Sequence, residues 1–276
     1  MKKHHGIFLL LLCASCQQQD KPQQLAATVQ PANAPVMKLS FDSTISTIHV
    51  MVALCDNKYQ GIVPVPAALG NGQQPNTNLY WGAANGVKSY FKKSSSWTFI
   101  KRYTIDSIKM ERLIFKHKKQ RCYLVADAFN GKYIRQCTID FLQSCAGQVK
   151  DTLQVNNTAI GINGNARLIA YIGHDGLMDF RLAARYNNTD GKVREAIILA
   201  CISRKYFTPH LLATKAHPLL WTTGLMCPEA YTLHAAIDSY IRGLPAQTCS
   251  AAGAKAYASY QHCSSTAARN LLVTGW

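Results

Sequence analysis

A chain of 276 residues, 48% of them hydrophobic, has the composition of a globular protein and the length for one large domain. Its 30 Lys and Arg against 14 Asp and Glu give a formal charge of +16, which points to an anionic surface or polymer as a partner. The excess is not gathered into a nucleic-acid motif. Lys116, Lys118, Lys119 and Arg121 read as a solvated turn between strands, without a recognition helix or RNP-type pattern, so a nucleic-acid partner is not expected.

Lys2 and Lys3 precede a short apolar core from Ile7 to Leu12, and small residues Ala14 and Ser15 stand before Cys16, the order of an export signal over residues 1–16. The core is too short to span a bilayer, and no other stretch reaches the ~18 apolar residues of a membrane helix. The segment resembles a bacterial lipoprotein signal. That resemblance implies lipidation at Cys16, as by palmitate, and a place on the bacterial cell envelope facing the periplasm or exterior. Residues 17–44 begin rich in Gln, Ala and Pro without apolar periodicity, and read as a tether to a folded domain over 45–276.

The domain is expected to be a single α/β unit with a doubly wound, mostly parallel sheet, because apolar runs alternate with loops and amphipathic stretches. The first run covers 48–55 and leads through Asp56 and Asn57 into a long Pro- and Gly-containing loop, too long for mere connection. A helix is expected over 78–93, with Leu79, Ala83, Val87, Tyr90 and Phe91 on one face and Gly82 and Gly86 allowing close approach to the sheet. Strands follow at 97–103 and 122–129, separated by a hydrophilic interval, and a helix at 132–145 closes at Gly147. The stretch Gly161 to Ala166 has glycines three apart but precedes an apolar run, so it reads as a turn and not as a dinucleotide fingerprint. Further strands are expected at 167–173, 196–200 and 218–223. A crossover helix should begin near Phe207, a helix near Pro228 with Ala230, Leu233, Ile237 and Ile241 as its buried stripe, and a last helical region over 250–272.

Two of these runs end in reactive side chains: R-L-I-A-Y-I-G-H reaches His174, and A-I-I-L-A-C reaches Cys201. Near-unbroken apolar runs read as parallel strands buried on both faces, and the carboxyl ends of such strands form the usual ligand crevice. An imidazole and a thiol at neighbouring strand ends are a base and its nucleophile. A strand ending in His with glycine nearby, then a strand ending in Ala-Cys, resembles the caspase, legumain and gingipain group of cysteine peptidases. The stretch A-C-I-S-R-K-Y-F is similar to the legumain type, and P-L-L-W-T-T-G-L-M resembles the next strand of that fold. The resemblance implies a peptide or protein substrate, catalysis by His174 and Cys201, and no cofactor or metal. His174 would take the thiol proton or hold a thiolate beside imidazolium, and such a thiolate would be alkylated rapidly at neutral pH. Backbone groups at Asp175, Gly176 and Cys201 are the oxyanion-hole candidates, and Asp56, Lys58, Thr222 and Thr223 the candidates for lining the substrate pocket.

Two other readings of the chain are open. The same scaffold can be catalytically silent and serve as a binding lipoprotein of the cell envelope, since free Cys often behaves as a small packing residue. Alternatively, His174, Asp175, Asp179, His210 and His217 can form a hard-metal hydrolase site, although no H-x-H or H-E-x-x-H spacing supports it. Eight cysteines remain beyond the signal and Cys16, none in a C-x-x-C pair. Cys137 with Cys145 and Cys249 with Cys263 are the candidate disulfides if the domain is exported.

Overall fold

The computed structural model describes residues 40–276, so the signal at 1–16 and the tether up to residue 39 lie outside the described residues. Ten strands are present among the described residues: β1 Ser46–Ala53, β2 Trp97–Thr104, β3 Lys109–His117, β4 Cys122–Phe129, β5 Lys150–Val155, β6 Thr158–Asn163, β7 Leu168–Gly173, β8 Glu195–Leu199, β9 His217–Thr222 and β10 Leu272–Val273. Six α-helices accompany them: α1 Val87–Lys93, α2 Ile134–Cys145, α3 Ser203–Thr214, α4 Ala230–Tyr240, α5 Ala246–Gln261 and α6 Ser265–Leu271.

Eight strands form one sheet in the order β10-β9-β8-β7-β1-β4-β3-β2, and β5 with β6 forms a separate hairpin. Strands β9, β8, β7, β1 and β4 run parallel, whereas β3, β2 and β10 extend the edges antiparallel. The fold is therefore α/β with a large, mixed but mostly parallel sheet in one compact region, and the four runs expected to pair in parallel do so. Along β1 the side chains alternate between two cores, as strand geometry requires. Ile48, Val50 and Val52 pack with Ala230, Leu233 and Ile237 of α4 and Ala254 of α5. Met51 and Ala53 pack on the opposite face with Phe141 of α2 and Phe207 and Leu211 of α3. The central strands are covered on both sides, which explains their continuous apolar sequence.

Several elements depart from the sequence reading. The hydrophilic interval before residue 122 contains β3, whose charges are buried in compensating pairs. Glu111 takes the Trp81 indole N–H at 2.6 Å and the Lys88 ammonium at 3.0 Å. Arg112 grips Asp127 of β4 through two nitrogens at 2.6 and 2.7 Å. Asp127 also accepts from His49 Nε2 at 3.0 Å, and His49 Nδ1 accepts from the Asn163 amide at 3.1 Å, so this network joins β1, β3, β4 and β6. A charged strand of this kind has no apolar signature.

The helix expected over 78–93 shrinks to α1, and residues before it form turns. Gly82 and Gly86 serve those turns: a Cβ on the first would collide with the Asn76 carbonyl, and on the second would lie 2.5 Å from the Trp81 backbone. Gly161 belongs to β6, and only Gly164 onward turns. Helix α3 begins at Ser203, four residues before Phe207, and the 250–272 region divides into α5 and α6 at His262, which has φ 51. All eight described cysteines are free thiols. Cys137 and Cys145 sit eight residues apart on α2, about 12 Å along its axis, far beyond disulfide reach. Most of α5 likewise separates Cys249 from Cys263.

Candidate functional site

Strand order reverses beside β1, since the chain passes from β4 on one side to β7 on the other. Crevices in open α/β sheets form outside the carboxyl ends of the strands at such a point. Here a cleft of about 420 Å³ opens, lined by segments that follow four strands. Gly61, Ile62, Val63 and Val65 come after β1, and Gly173, His174 and Met178 come from the end of β7 and the turn beyond. Cys201 follows β8, and Leu225 to Glu229 follow β9, with Leu79 and Tyr80 completing the wall.

Register makes His174 and Cys201 neighbours. Ile172 of β7 pairs with Leu199 of β8, and each reactive residue lies two positions past its paired residue. His174 is 6% exposed. Its Nε2–H donates to Asp179 Oδ2 at 2.8 Å, the same oxygen that accepts the Gly61 amide at 2.9 Å. Its backbone carbonyl is held by the Tyr171 hydroxyl at 2.7 Å. This leaves Nδ1 as the ring nitrogen without a hydrogen bond among the described residues, hence the one able to take a proton. Asp179 acts as a positioning residue, fixing the tautomer and tying the loop after β1 to the imidazole.

Cys201 sits between β8 and α3, at a turn in which the next residue, Ile202, adopts the left-handed region at φ 52. That conformation is costly for a β-branched side chain and is held by the Ile202 amide bonding to the Gly224 carbonyl at 2.8 Å. Ser203 secures the start of α3 by donating to the Ile198 carbonyl at 2.9 Å. The Cys201 thiol lies 3.5 Å from the Met226 carbonyl, to which it donates, and 3.4 Å from the Met226 amide. Burial pushes its pKa up, the Met226 backbone opposes the rise, and the Asp175 charge adds to it. The rise favours the neutral thiol, the form from which a base would remove the proton during attack. No hydrogen bond joins His174 to Cys201 among the described residues.

Among the described residues, the backbone amides of Cys201 and Asp175 donate no hydrogen bond. The Asp175 side chain is fully buried, with Oδ1 accepting the Leu177 amide at 3.0 Å and Oδ2 without a partner. Burial pushes its pKa up to about 7, with Asp179 contributing to the rise. Gly176 is packed against the Phe180 ring and does not line the cleft.

The structure does not bring Asp56, Lys58, Thr222 or Thr223 to the cleft wall. Asp56 is buried and caps a turn by accepting the Lys58 and Tyr59 amides at 2.9 and 3.2 Å. Lys58 points over the Tyr59 ring. Thr222 is spent on Ser203 and the Ala200 carbonyl, and Thr223 on the Asn270 carbonyl at 2.7 Å. The sequence reading did not single out Tyr80, Met178, Cys227 or Glu229 as site residues, although the loops at 174–190 and 222–229 that hold the last three read as pocket-lining. Cys227 had one available signal, since it follows β9 much as Cys201 follows β8.

No family model, no curated protein and no solved structure matches this chain. Among the described residues no three His, Cys, Asp or Glu side chains gather as metal ligands. The residues of the metal-site reading are dispersed: His217 pairs with Glu195 at 2.8 Å where β8 and β9 begin, the sheet end opposite His174, and His210 lies on α3. The cleft itself offers a thiol, an oriented imidazole, the unbonded Cys201 amide and mainly apolar walls, whereas Asp175 is fully buried and does not line it. That set suits attack on an acyl carbon.

Proposed function

We propose that this chain is a cysteine peptidase-like hydrolase of the caspase, legumain and gingipain type, with a doubly wound domain of that kind, anchored through Cys16 to a bacterial cell envelope. The observation that carries the reading is the level placement of His174 and Cys201 past the paired ends of adjacent parallel strands, in one cleft. His174 Nδ1 removes the Cys201 proton as the sulfur attacks a peptide or amide carbonyl, and the resulting imidazolium returns that proton to the leaving amine. Water, deprotonated by the same nitrogen, then releases the acid from the thioester and restores the thiol. The amide of Cys201 is the donor for the developing oxyanion, assisted by the N-terminus of α3 directly after Cys201.

Glu229 is the carboxylate of the cleft wall, raised in pKa by burial and without an ion-pair partner among the described residues. In a chain of such positive charge, this favours substrates carrying one cationic side chain beside apolar ones. A fluorogenic peptide library is the test. Cleavage by the wild type, an acyl-enzyme mass on the Cys201 peptide and loss of both in Cys201→Ala are expected. Glu229→Gln should lower kcat/KM for Lys- or Arg-containing peptides about tenfold.

A catalytically silent binding lipoprotein is the second reading. It is favoured by the raised Cys201 pKa and by the lack of a His174–Cys201 hydrogen bond. Binding of library peptides without turnover, unchanged in Cys201→Ala, would select it.

A further inference from the structure

The end of the sheet opposite the cleft carries a concentration of positive charge that no catalytic reading uses. Lys118, Lys119 and Arg121 occupy the turn before β4, Arg167 precedes β7, Lys192 lies before β8 and Arg242 follows α4, and all six are exposed. They belong to one surface. Lys119 and Arg242 border the same depression, Arg167 and Lys192 share another with Phe41 and Tyr240, and Arg121 shares a third with Ser40 and Phe41. Most nearby carboxylates are already engaged: Asp42 by Arg121 at 3.2 Å, Glu195 by His217 at 2.8 Å, and Asp190 by Lys150 and Arg194 at 2.7 and 2.6 Å, while Asp238, in the depression of Lys119 and Arg242, meets His234 at 3.4 Å through one oxygen and keeps the other buried. The described chain also starts here, because Ser40 and Phe41 line this end and lead into β1.

We infer that this basic end docks on an anionic phospholipid bilayer. Charge complementarity supplies the attraction. The occupant is a bilayer because the 39 residues preceding Ser40 include the apolar run Ile7 to Leu12 and Cys16, so the chain enters the domain on the charged side. This rests on the Cys16 anchor of the proposed function, which would keep the domain beside a bilayer, where a polybasic face gains electrostatic attraction to anionic headgroups. Strands of six to eight residues rise about 3.3 Å per residue, so docking by this end holds the cleft roughly 20–25 Å from the lipid with its mouth directed away. A bulky substrate then reaches Cys201 without meeting the bilayer.

The test uses the full chain carrying Cys16→Ala, so that no lipid anchor masks the surface, and sedimentation with vesicles of phosphatidylglycerol and phosphatidylcholine or of phosphatidylcholine alone. Binding to the anionic vesicles only, weakened as salt is raised to about 0.5 M, is expected. Each basic group near an anionic surface contributes about fivefold to partitioning, so Lys118→Glu/Lys119→Glu/Lys192→Glu should reduce it by at least about a hundredfold. The control Lys58→Glu/Lys132→Glu/Lys205→Glu makes the same change in net charge at the cleft end. It should retain most of the binding, and circular dichroism melts of both variants establish that each is folded. Equal losses in the two triple variants would overturn the inference, since net charge and not this face would then govern binding. So would tighter binding to a duplex oligonucleotide than to the anionic vesicles, which would make nucleic acid the partner.

Discussion

The protonation state of Cys201 decides how the cleft can work. An ordinary thiol near pKa 8.5 is only about 3% thiolate at pH 7, and burial takes Cys201 above its usual value. A resting ion pair with His174 would instead be almost wholly thiolate, at least about thirtyfold more of the reacting species. Iodoacetamide alkylation from pH 5 to 10, followed by mass mapping of the Cys201 and Cys227 peptides in the same molecule, separates these cases. The Cys201 rate should climb about tenfold per pH unit to beyond pH 8.5, almost unchanged in His174→Ala. Acylation by a peptide ester should behave differently, falling by about 10²–10⁴ in His174→Ala, because the proton must leave as the bond forms. A reactivity plateau across pH 5–8 that disappears in His174→Ala would refute general-base activation. Equal acylation of the two proteins would refute the dyad itself.

Two further outcomes concern stability. Asp175 has its folded pKa raised to about 7, so its favourable contribution is complete below the unfolded value near 3.9 and is lost as pH rises through 7. Asp175→Asn should therefore match the wild type in denaturant titrations near pH 4 and exceed it by about 2–4 kcal/mol at pH 8. In the buried network, Arg112→Met takes two hydrogen bonds and the guanidinium from the Asp127 carboxylate, which is 0% exposed and keeps only His49 and the more distant Lys109, and should cost about 3 kcal/mol or more. Thermal melts should show a fall of about 6–20 °C, most of it recovered in Arg112→Met/Asp127→Leu; no recovery would mean that packing, not charge, dominates there.

The buried parallel strands were legible from residue order. Residues 48–53, 168–173, 196–199 and 218–222 are apolar at nearly every position because the sheet is covered on both faces, and His174 and Cys201 stand where those runs stop. The stripe of α4 and the stop at Gly243 were legible for a similar reason, since helical period and a left-handed glycine at φ 71 are local properties. What the chain does not write locally is compensation between distant residues. Strand β3 hides Glu111 and Arg112 against partners 30 and 15 residues away, so it reads as a hydrophilic connection until the sheet assembles. The cleft is the same kind of object. Its walls come from five segments spread over residues 61–229, and the loop after β1 is drawn to Asp179 by the Gly61 amide. Sequence by itself determined which side chains end the central strands. Only the tertiary structure decided that Asp179 would orient His174, that Tyr80, Cys227 and Glu229 would face the thiol's cleft, and that burial would push that thiol's pKa up, because each depends on neighbours brought together by the register of parallel strands.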